Sequence, residues 1–386
     1  MDSILFQSTH LKGLPIKNRF VRSATVEGMA TSDGRPSPDL KELYITLARG
    51  EVGLIVTAAT LVEASTYKKR VPVEGKSYSL AMDEDRYMED WKEIVDSVHE
   101  KGSRIAMQIV HPGRQESPKI RGAAPIAPSA VPITHTNIVP REMSAEEVRE
   151  MVELFAHAIR RVKGAGFDAV QLHGGHGYLI SNFISPYANV RNDDYGGSTE
   201  NRARFITDIV KRSREMVGPD YPIMIKMNCD DFIHGGLDQE EAVRIAGIIV
   251  QAGIDCIEVT GGTASDSPLH VAAMGINKEE KEAYFKSYAK ALKKQISVPL
   301  ILVGGLRTPH VMEKIISKKI ADFVSMSRPL IREPGLIKRW ENGDLEKARC
   351  ISCNMCGLHV FKRPLRCYVD HPLEEDQNRT ADHGSE

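Results

Sequence analysis

The sequence lacks the features that would place the protein in a membrane or on nucleic acid. It contains no run of about 18 apolar residues, so no transmembrane helix is predicted. Its 51 Lys and Arg residues are balanced by 52 Asp and Glu residues, which leaves no strongly basic surface for nucleic acid or an anionic membrane. Residues 1–20 contain no apolar stretch long enough for a signal peptide. We therefore expect a cytoplasmic protein with neither a nucleic-acid nor a membrane partner.

Cysteine is scarce, and its distribution argues against a disulfide scaffold. Of six cysteines, Cys229 and Cys256 each stand alone in an apolar run, which is typical of an inert buried thiol. The other four cluster near the C-terminus, at Cys350, Cys353, Cys356 and Cys367. In a large cytosolic enzyme such a cluster indicates metal binding rather than disulfides.

A glycine-rich dinucleotide-binding turn after an early strand is also absent, which argues against a doubly wound open sheet. The chain instead repeats a short apolar strand pattern followed by a helical pattern. The candidate strands show little alternation, as expected for parallel strands buried on both faces. They are 19–23, 53–62, 104–110, 167–173, 222–229, 256–261, 299–304 and 322–327. This pattern predicts an α/β protein with a (β/α)8 TIM barrel.

Local signals support this organisation. Ser37-Pro38 predicts the start of one helix, and Ser144 with Glu147 forms a capping box at the start of another. Residues 5–19 contain a Lys-Gly turn between apolar residues, which predicts a β-hairpin at the bottom of the barrel. We expect a barrel over residues 1–340, a cysteine-rich metal-binding segment over 341–370, and a disordered tail over 371–386.

Every predicted strand is followed by a polar residue or a bare glycine, and barrel active sites lie at that end of the strands. The candidate residues, in strand order, are Ser23, Ala24, Thr25, Ala59, Gln108, His173, His176, Tyr178, Lys226, Gly304, Gly305, Ser327 and Arg328. Because the carboxyl ends of all eight strands meet at one face of the barrel, these residues are expected to converge on one site.

Gly304-Gly305 and Arg328 follow the last two strands, where barrels commonly bind phosphate. Glycines let backbone N–H groups approach an anion, and the guanidinium adds positive charge. The alternative is that the two glycines form only a tight turn.

His173 and His176 lie three residues apart after the fourth strand, with Tyr178 close behind. Two imidazoles can bind a metal or donate hydrogen bonds to a carbonyl or nitro oxygen. No acidic residue stands near them in the sequence to complete a metal triad, which favours the donor role. Tyr178 can supply a proton to a developing carbanion. A purely structural role for the three residues is the remaining alternative.

The stretch from His173 to Phe205 reads HGGHGYLISNFISPYANVRNDDYGGSTENRARF and resembles the signature of the old yellow enzyme family. The resemblance extends over about residues 5–339. It implies a single barrel that binds FMN, and it implies that NAD(P)H reduces this flavin. It further implies that Ser23, Ala24, Thr25, Ala59 and Gln108 contact the flavin ring, that Lys226 lies near flavin N1, and that Gly304, Gly305, Ser327 and Arg328 bind the phosphate.

In the same resemblance, His173 and His176 hold the substrate oxygen and Tyr178 donates the proton. One position departs from the family, because many members carry Thr or Cys where this chain has Val26. That side chain tunes the flavin potential, and valine cannot donate a hydrogen bond. The effect of Val26 on the potential is open.

The cysteine segment resembles the iron–sulfur segment that follows the barrel in 2,4-dienoyl-CoA reductase and trimethylamine dehydrogenase. Four thiolates are the ligands that a [4Fe–4S] cluster requires. A tetrahedral zinc site would use the same four ligands, and unmetallated thiols are a third interpretation. We favour the iron–sulfur cluster.

We therefore expect an FMN-dependent ene-reductase that takes hydride from NAD(P)H and reduces a small electrophile such as an α,β-unsaturated carbonyl compound. One alternative is oxidation of an amine, as in a dehydrogenase or demethylase. Another is an electron-transfer subunit fed by a protein partner through the cysteine site. Whether the chain forms a homo-oligomer is open.

Overall fold

The computed structural model describes residues 3–64, 78–134, 136–267, 271–360, 362–363 and 365–372. The strands are β1 (Thr9–Leu11), β2 (Leu14–Ile16), β3 (Phe20–Arg22), β4 (Leu54–Leu61), β5 (Arg104–Val110), β6 (Ile126–Ala127), β7 (Arg141–Glu142), β8 (Ala169–Gly174), β9 (Ile223–Asn228), β10 (Cys256–Thr260), β11 (Leu300–Leu302) and β12 (Phe323–Met326). All of the tail predicted over 371–386 except its first two residues lies outside the described ranges.

Eight of these strands form a closed parallel barrel in the order β3-β4-β5-β8-β9-β10-β11-β12, with β12 pairing back to β3. Each of the eight strands predicted from the sequence supplies one barrel strand. The predicted (β/α)8 TIM barrel is therefore confirmed. The remaining strands form two short two-stranded sheets, β1-β2 and β6-β7.

Most helices lie between successive barrel strands in the chain and pack around the barrel. The helices are α1 (Pro38–Arg49), α2 (Tyr87–His99), α3 (Pro118–Arg121), α4 (Ala145–Gly164), α5 (Leu179–Ile184), α6 (Thr199–Val217), α7 (Gln239–Gln251), α8 (Lys286–Gln295), α9 (Pro309–Ser317), α10 (Arg328–Arg332), α11 (Leu336–Glu341) and α12 (Met355–His359). Among the described residues, no helix has both the length and the apolar character needed to cross a membrane.

The predicted helix starts are present. Ser37 Oγ accepts a hydrogen bond from the backbone N–H of Leu40, with Pro38 in the first turn of α1. At α4, Ser144 Oγ accepts from the N–H of Glu147 at 3.1 Å, and the Glu147 carboxylate accepts from the N–H of Ser144 at 2.8 Å. Each cap of this kind stabilises a helix by about 1 kcal/mol.

The hairpin β1–β2 closes the amino-terminal end of the barrel. Its turn residues, Lys12 and Gly13, both have positive φ, at 48° and 36°, which is the geometry of a tight hairpin turn. Leu11 and Ile16 are fully buried and pack in one cluster with inward-facing strand residues such as Leu54. Burying each such side chain stabilises the fold by about 1.5–3 kcal/mol. The sequence prediction of a bottom plug is therefore confirmed.

Cys229 and Cys256 are buried in the barrel, as predicted. Burial raises the pKa of both thiols well above the usual range. Both side chains therefore stay protonated and behave as small apolar groups.

The chain after α11 folds back onto the carboxyl-terminal face of the barrel. The N–H of Ala348 donates to the carbonyl of Arg307 at 2.9 Å, and the N–H of Leu365 donates to the carbonyl of Glu27 at 3.1 Å. Arg332 on α10 and Asp370 form an ion pair at 2.7 Å. The cysteine-rich segment is thus attached to the loops where the active site was predicted, while the domain division at residue 340 stays a prediction.

Candidate active site

The carboxyl ends of the barrel strands open into a cavity of about 390 Å³, within the range of about 300–1,000 Å³ that is usual for cofactor and ligand sites. The predicted residues that line it are Ser23, Ala24, Thr25, Ala59, Gln108, His173, His176, Tyr178, Lys226, Gly305, Ser327 and Arg328. The structure therefore brings together almost all of the residues that were selected from the strand exits.

Gly304, which was predicted to belong to the site, is not among the residues that line this cavity. A Cβ at Gly304 would lie 3.3 Å from the rings of both Phe285 and Tyr284. Gly305 lines the cavity, and a Cβ there would lie 3.2 Å from Tyr284. Both glycines have positive φ, at 133° and 70°. The pair is therefore a tight turn, and its second residue also exposes backbone to the site.

Arg328 lines the cavity at the start of α10, directly after β12, and the two glycines follow the neighbouring strand β11. Its Nη1 is buried and has no hydrogen-bond partner among the described residues. A buried guanidinium N–H without a partner is unfavourable, so this atom fits an anion in the cavity. Nearby, Ser327 Oγ and Thr25 Oγ1 lie 2.8 Å apart. The arrangement fits the phosphate end of a nucleotide such as FMN.

His173, His176 and Tyr178 form one aromatic cluster in the cavity wall. The ring of His173 lies 5.1 Å from that of His176 and 4.7 Å from that of Tyr178, between centroids. His176 Nε2 is 2.7 Å from Thr260 Oγ1. His173 Nδ1 is buried, and the described part of the chain offers it no partner. One ring nitrogen is thus left to bind a ligand.

The backbone after β8 holds these side chains in place. His176 has a positive φ of 61°, which is unusual for a residue with a Cβ. Its N–H donates to Asn228 Oδ1 at 3.1 Å, and its carbonyl accepts from Gln115 Nε2 at 2.6 Å. Position 175 requires glycine, because a Cβ there would lie 2.8 Å from Thr260 Cγ2. Neighbouring strands therefore fix the strained turn that aims both imidazoles.

Both imidazoles are neutral near pH 7. Burial, reinforced by the charge of Lys226, lowers the pKa of His173 to about 3. Burial and the neighbouring His173 and Lys226 hold the pKa of His176 well below its usual range. Burial raises the pKa of Tyr178, so the phenol stays protonated. The three side chains can therefore act as neutral hydrogen-bond donors, with Tyr178 able to give up a proton.

The described residues contain no group of three or more His, Cys, Asp or Glu side chains placed to hold a metal ion. The donor role of the histidine pair stays a prediction.

Lys226, on β9, is buried beside the histidines. Its Nζ donates to Ser23 Oγ at 2.7 Å and lies 3.6 Å from Glu258 Oε1. Sequence reasoning missed Glu258, which lies in the middle of β10 and is fully buried. The signal was present, because a carboxylate inside an apolar strand requires compensation.

Sequence reasoning also missed the part that the C-terminal segment plays in the cavity. Asn354, Cys356 and Leu358 line the same cavity as the histidines and Lys226. No local pattern marked these positions as part of the barrel site, since their placement depends on the fold-back described above.

The four clustered cysteines share one small cavity. Cys350, Cys353, Cys356 and Cys367 line it together with Arg328. Burial raises the pKa of the Cys356 thiol to about 11. In the described residues, the four cysteine side chains are not placed closely enough to form a metal site. The predicted metal centre is therefore not confirmed, although the fold gathers its four proposed ligands.

A barrel cavity with these donors and cations fits a flavin nucleotide. The chain belongs to the NADH:flavin oxidoreductase / NADH oxidase family, whose model matches residues 4–346. This is the old yellow enzyme family that the sequence motif indicated.

Individual relatives support the assignment. The chain is 38% identical to an NADH oxidase of Thermoanaerobacter brockii over 374 residues, which cover 95% of this chain and 56% of that protein. The chain thus spans little more than half the length of this relative. Its fold is similar to that of a 2-naphthoyl-CoA reductase, with a TM-score of 0.85, 27% identity, and coverage of 95% of this chain and 56% of the other. It is also similar to an old yellow enzyme homologue from Zymomonas mobilis, with a TM-score of 0.74, 25% identity, and coverage of 96% and 99%.

Proposed function

We propose that the protein is an FMN-dependent oxidoreductase that uses NAD(P)H to reduce an activated alkene, such as an α,β-unsaturated carbonyl compound. The observation that carries the proposal is the cluster of His173, His176 and Tyr178, which lie in one cavity wall and are neutral; His173 is buried and the other two are partly buried. Neutral donors suit the oxygen of an electrophilic carbonyl group, which gains negative charge as the alkene is reduced.

The cavity offers residues for each part of FMN. The unpartnered Nη1 of Arg328 suits the phosphate, and Gly305 lines the same cavity. The Lys226 ammonium suits the ring edge where charge develops on reduction. When bound, FMN would accept hydride from NAD(P)H and deliver it to the β-carbon of the alkene.

The chain's own residues would bind and protonate the substrate. We assign His173 and His176 to the substrate carbonyl oxygen, which their ring N–H groups would polarise. Tyr178 would donate its phenolic proton to the α-carbon and regain it from solvent. Thr260 fixes the His176 ring through the 2.7 Å contact with Nε2, so His176 would bind through its other nitrogen.

The cofactor assignment predicts stoichiometric, noncovalent FMN. The test is chromatography of the supernatant after denaturation of the purified protein, with reconstitution by FMN or FAD as needed. We expect one FMN per chain. Recovery of FAD, or failure to bind any flavin, would contradict the proposal.

A second candidate function is electron transfer between the flavin and a protein partner through the cysteine site. The observation in its favour is that Arg328, Asn354 and Cys356 line both the main cavity and the cysteine cavity. A metal centre at the cysteines would therefore adjoin the flavin. A donor resembling ferredoxin that reduces the flavin when NADH does not would favour this function.

We further propose that Cys350, Cys353, Cys356 and Cys367 bind one metal centre, and we favour [4Fe–4S] over zinc. Cys353→Ser should lose the metal and some stability but keep FMN and turnover with NAD(P)H, since hydride enters and leaves at the flavin. Iron, sulfide and zinc are quantified on protein purified without oxygen. Cys229→Ser, in the barrel, is the control and should keep the metal. Absence of all three elements from the wild type would remove the metal assignment.

A further inference from the structure

Glu258 is a buried carboxylate that the function proposed above does not use. It lies on β10 with no exposed surface. Its Oε1 accepts hydrogen bonds from Ser23 Oγ at 2.7 Å and Ser325 Oγ at 2.9 Å. Its Oε2 accepts from Gln171 Nε2 at 2.9 Å. Together with Lys226, whose Nζ lies 3.6 Å away, these groups surround the carboxylate on several sides.

The partners of Glu258 come from separate parts of the barrel. Gln171 lies on β8, Lys226 on β9, Ser325 on β12, and Ser23 directly after β3. A carboxylate is stable in such a dry interior only when charge and hydrogen bonds compensate it. The hydroxyl groups, the amide and the ammonium supply that compensation. Glu258 is therefore the common acceptor at the centre of this network.

The first consequence of this network concerns Lys226. Its ammonium is fixed between Ser23 Oγ at 2.7 Å and the Glu258 carboxylate. A ligand in the cavity therefore meets the field of an ion pair instead of that of an isolated cation. The opposite charge of Glu258 weakens the attraction of Lys226 for negative charge in the cavity.

The second consequence concerns the amide of Gln108, which lines the cavity. Gln108 Nε2 donates to Gln171 Oε1 at 2.7 Å, and Gln171 in turn donates to Glu258. Since a carboxylate only accepts hydrogen bonds, it fixes the direction of both amides. The carbonyl oxygen of Gln108 is thus left for a donor in the cavity.

We propose that Glu258 is a positioning residue that sets the electron affinity of the bound flavin through Lys226 and Gln108. This inference rests on the proposed FMN-dependent function. Glu258 holds the Lys226 ammonium at the cavity wall and at the same time offsets its charge. The reduced flavin carries negative charge near that ammonium, so Glu258 keeps the reduction potential lower than Lys226 alone would set it.

The test is the flavin reduction potential of Glu258→Gln, measured on the FMN-loaded protein by equilibration with a reference dye. The variant removes the negative charge but keeps the size of the side chain. We expect a shift to more positive potential of about 30 mV or more, which corresponds to about a tenfold change in the two-electron equilibrium constant. The dissociation constant of FMN, from fluorescence titration of the apoprotein, provides a readout that does not depend on turnover.

Glu27→Gln is the matched control. Glu27 is also a buried carboxylate with a cationic partner, Arg22, at 2.6 Å, but it lines a neighbouring cavity. Its substitution should leave the potential unchanged. Glu258→Asp should shift the potential in the same direction as Glu258→Gln but by less, because it retracts the charge from Lys226 without removing it.

The outcomes separate the two proposals. A wild-type protein that binds no FMN would overturn the proposed function and this inference together. FMN-loaded Glu258→Gln with the wild-type potential would overturn this inference alone. Failure of both Glu258 variants to fold would also overturn it, by showing that the residue serves the barrel and not the flavin.

Discussion

Tyr178→Phe is expected to slow alkene reduction by about 10²–10⁴-fold, the usual contribution of a positioned general acid. Reduction of the flavin by NAD(P)H should be nearly unchanged, because no substrate proton is needed in that half-reaction. Burial raises the pKa of Tyr178 and keeps its proton in place until the α-carbon requires it. Stopped-flow traces of the two half-reactions measure the effects separately.

Tyr195→Phe is the control for this experiment. Tyr195 is a second tyrosine after β8, but its hydroxyl group donates to Asp208 at 3.2 Å, and neither residue lines the cavity. Its substitution should leave both half-reactions intact. Equal losses in both half-reactions of Tyr178→Phe would mean that the residue is structural. For strongly electron-poor alkenes the effect should shrink, since solvent can protonate the more stable carbanion.

Arg328→Met is expected to weaken FMN binding by about 10- to 100-fold, the contribution of a hydrogen bond to a charged group. Riboflavin, which lacks the phosphate, should bind the variant and the wild type equally. FMN binding should weaken because Arg328 Nη1 is buried and has no partner among the described residues, so it is available to the phosphate. Fluorescence titration of the apoprotein with each ligand measures the two affinities.

Arg332→Met provides the matched control on the same helix. Arg332 pairs with Asp370 and lines the cysteine cavity but not the main one. It should therefore leave FMN affinity close to the wild-type value. If Arg328→Met weakened the binding of riboflavin and of FMN equally, Arg328 would stabilise the fold of the C-terminal segment and would not bind the phosphate.

The barrel could be predicted from the sequence because its strands are buried on both faces and read as apolar runs. The ends of the strands were predicted less exactly. The seventh strand was predicted over 299–304, but β11 ends at Leu302. The positive φ of Gly304 and Gly305 turns the chain away from the sheet. The short strands β6 and β7 were not predicted at all, because a two-residue strand leaves no periodic pattern.

The candidate site was predictable where its residues follow the strands, because barrel geometry brings those positions together. It was not predictable where the residues lie inside a strand or far along the chain. Glu258 and Gln171 occupy mid-strand positions that otherwise hold core residues. Cys356 joins the cavity only through long-range contacts such as that between Leu365 and Glu27.

The fold-back of the C-terminal segment places two proposed binding sites against one stretch of chain. Asn354 and Cys356 belong at once to the wall of the main cavity and to that of the cysteine cavity. A ligand that orders this segment at the cysteines is therefore expected to raise the affinity of the barrel for its cofactor. By thermodynamic linkage, the cofactor strengthens the hold on that ligand by the same factor. Since the metal-free Cys353→Ser variant is expected to keep FMN, this coupling changes the two affinities and does not decide whether either site can be filled.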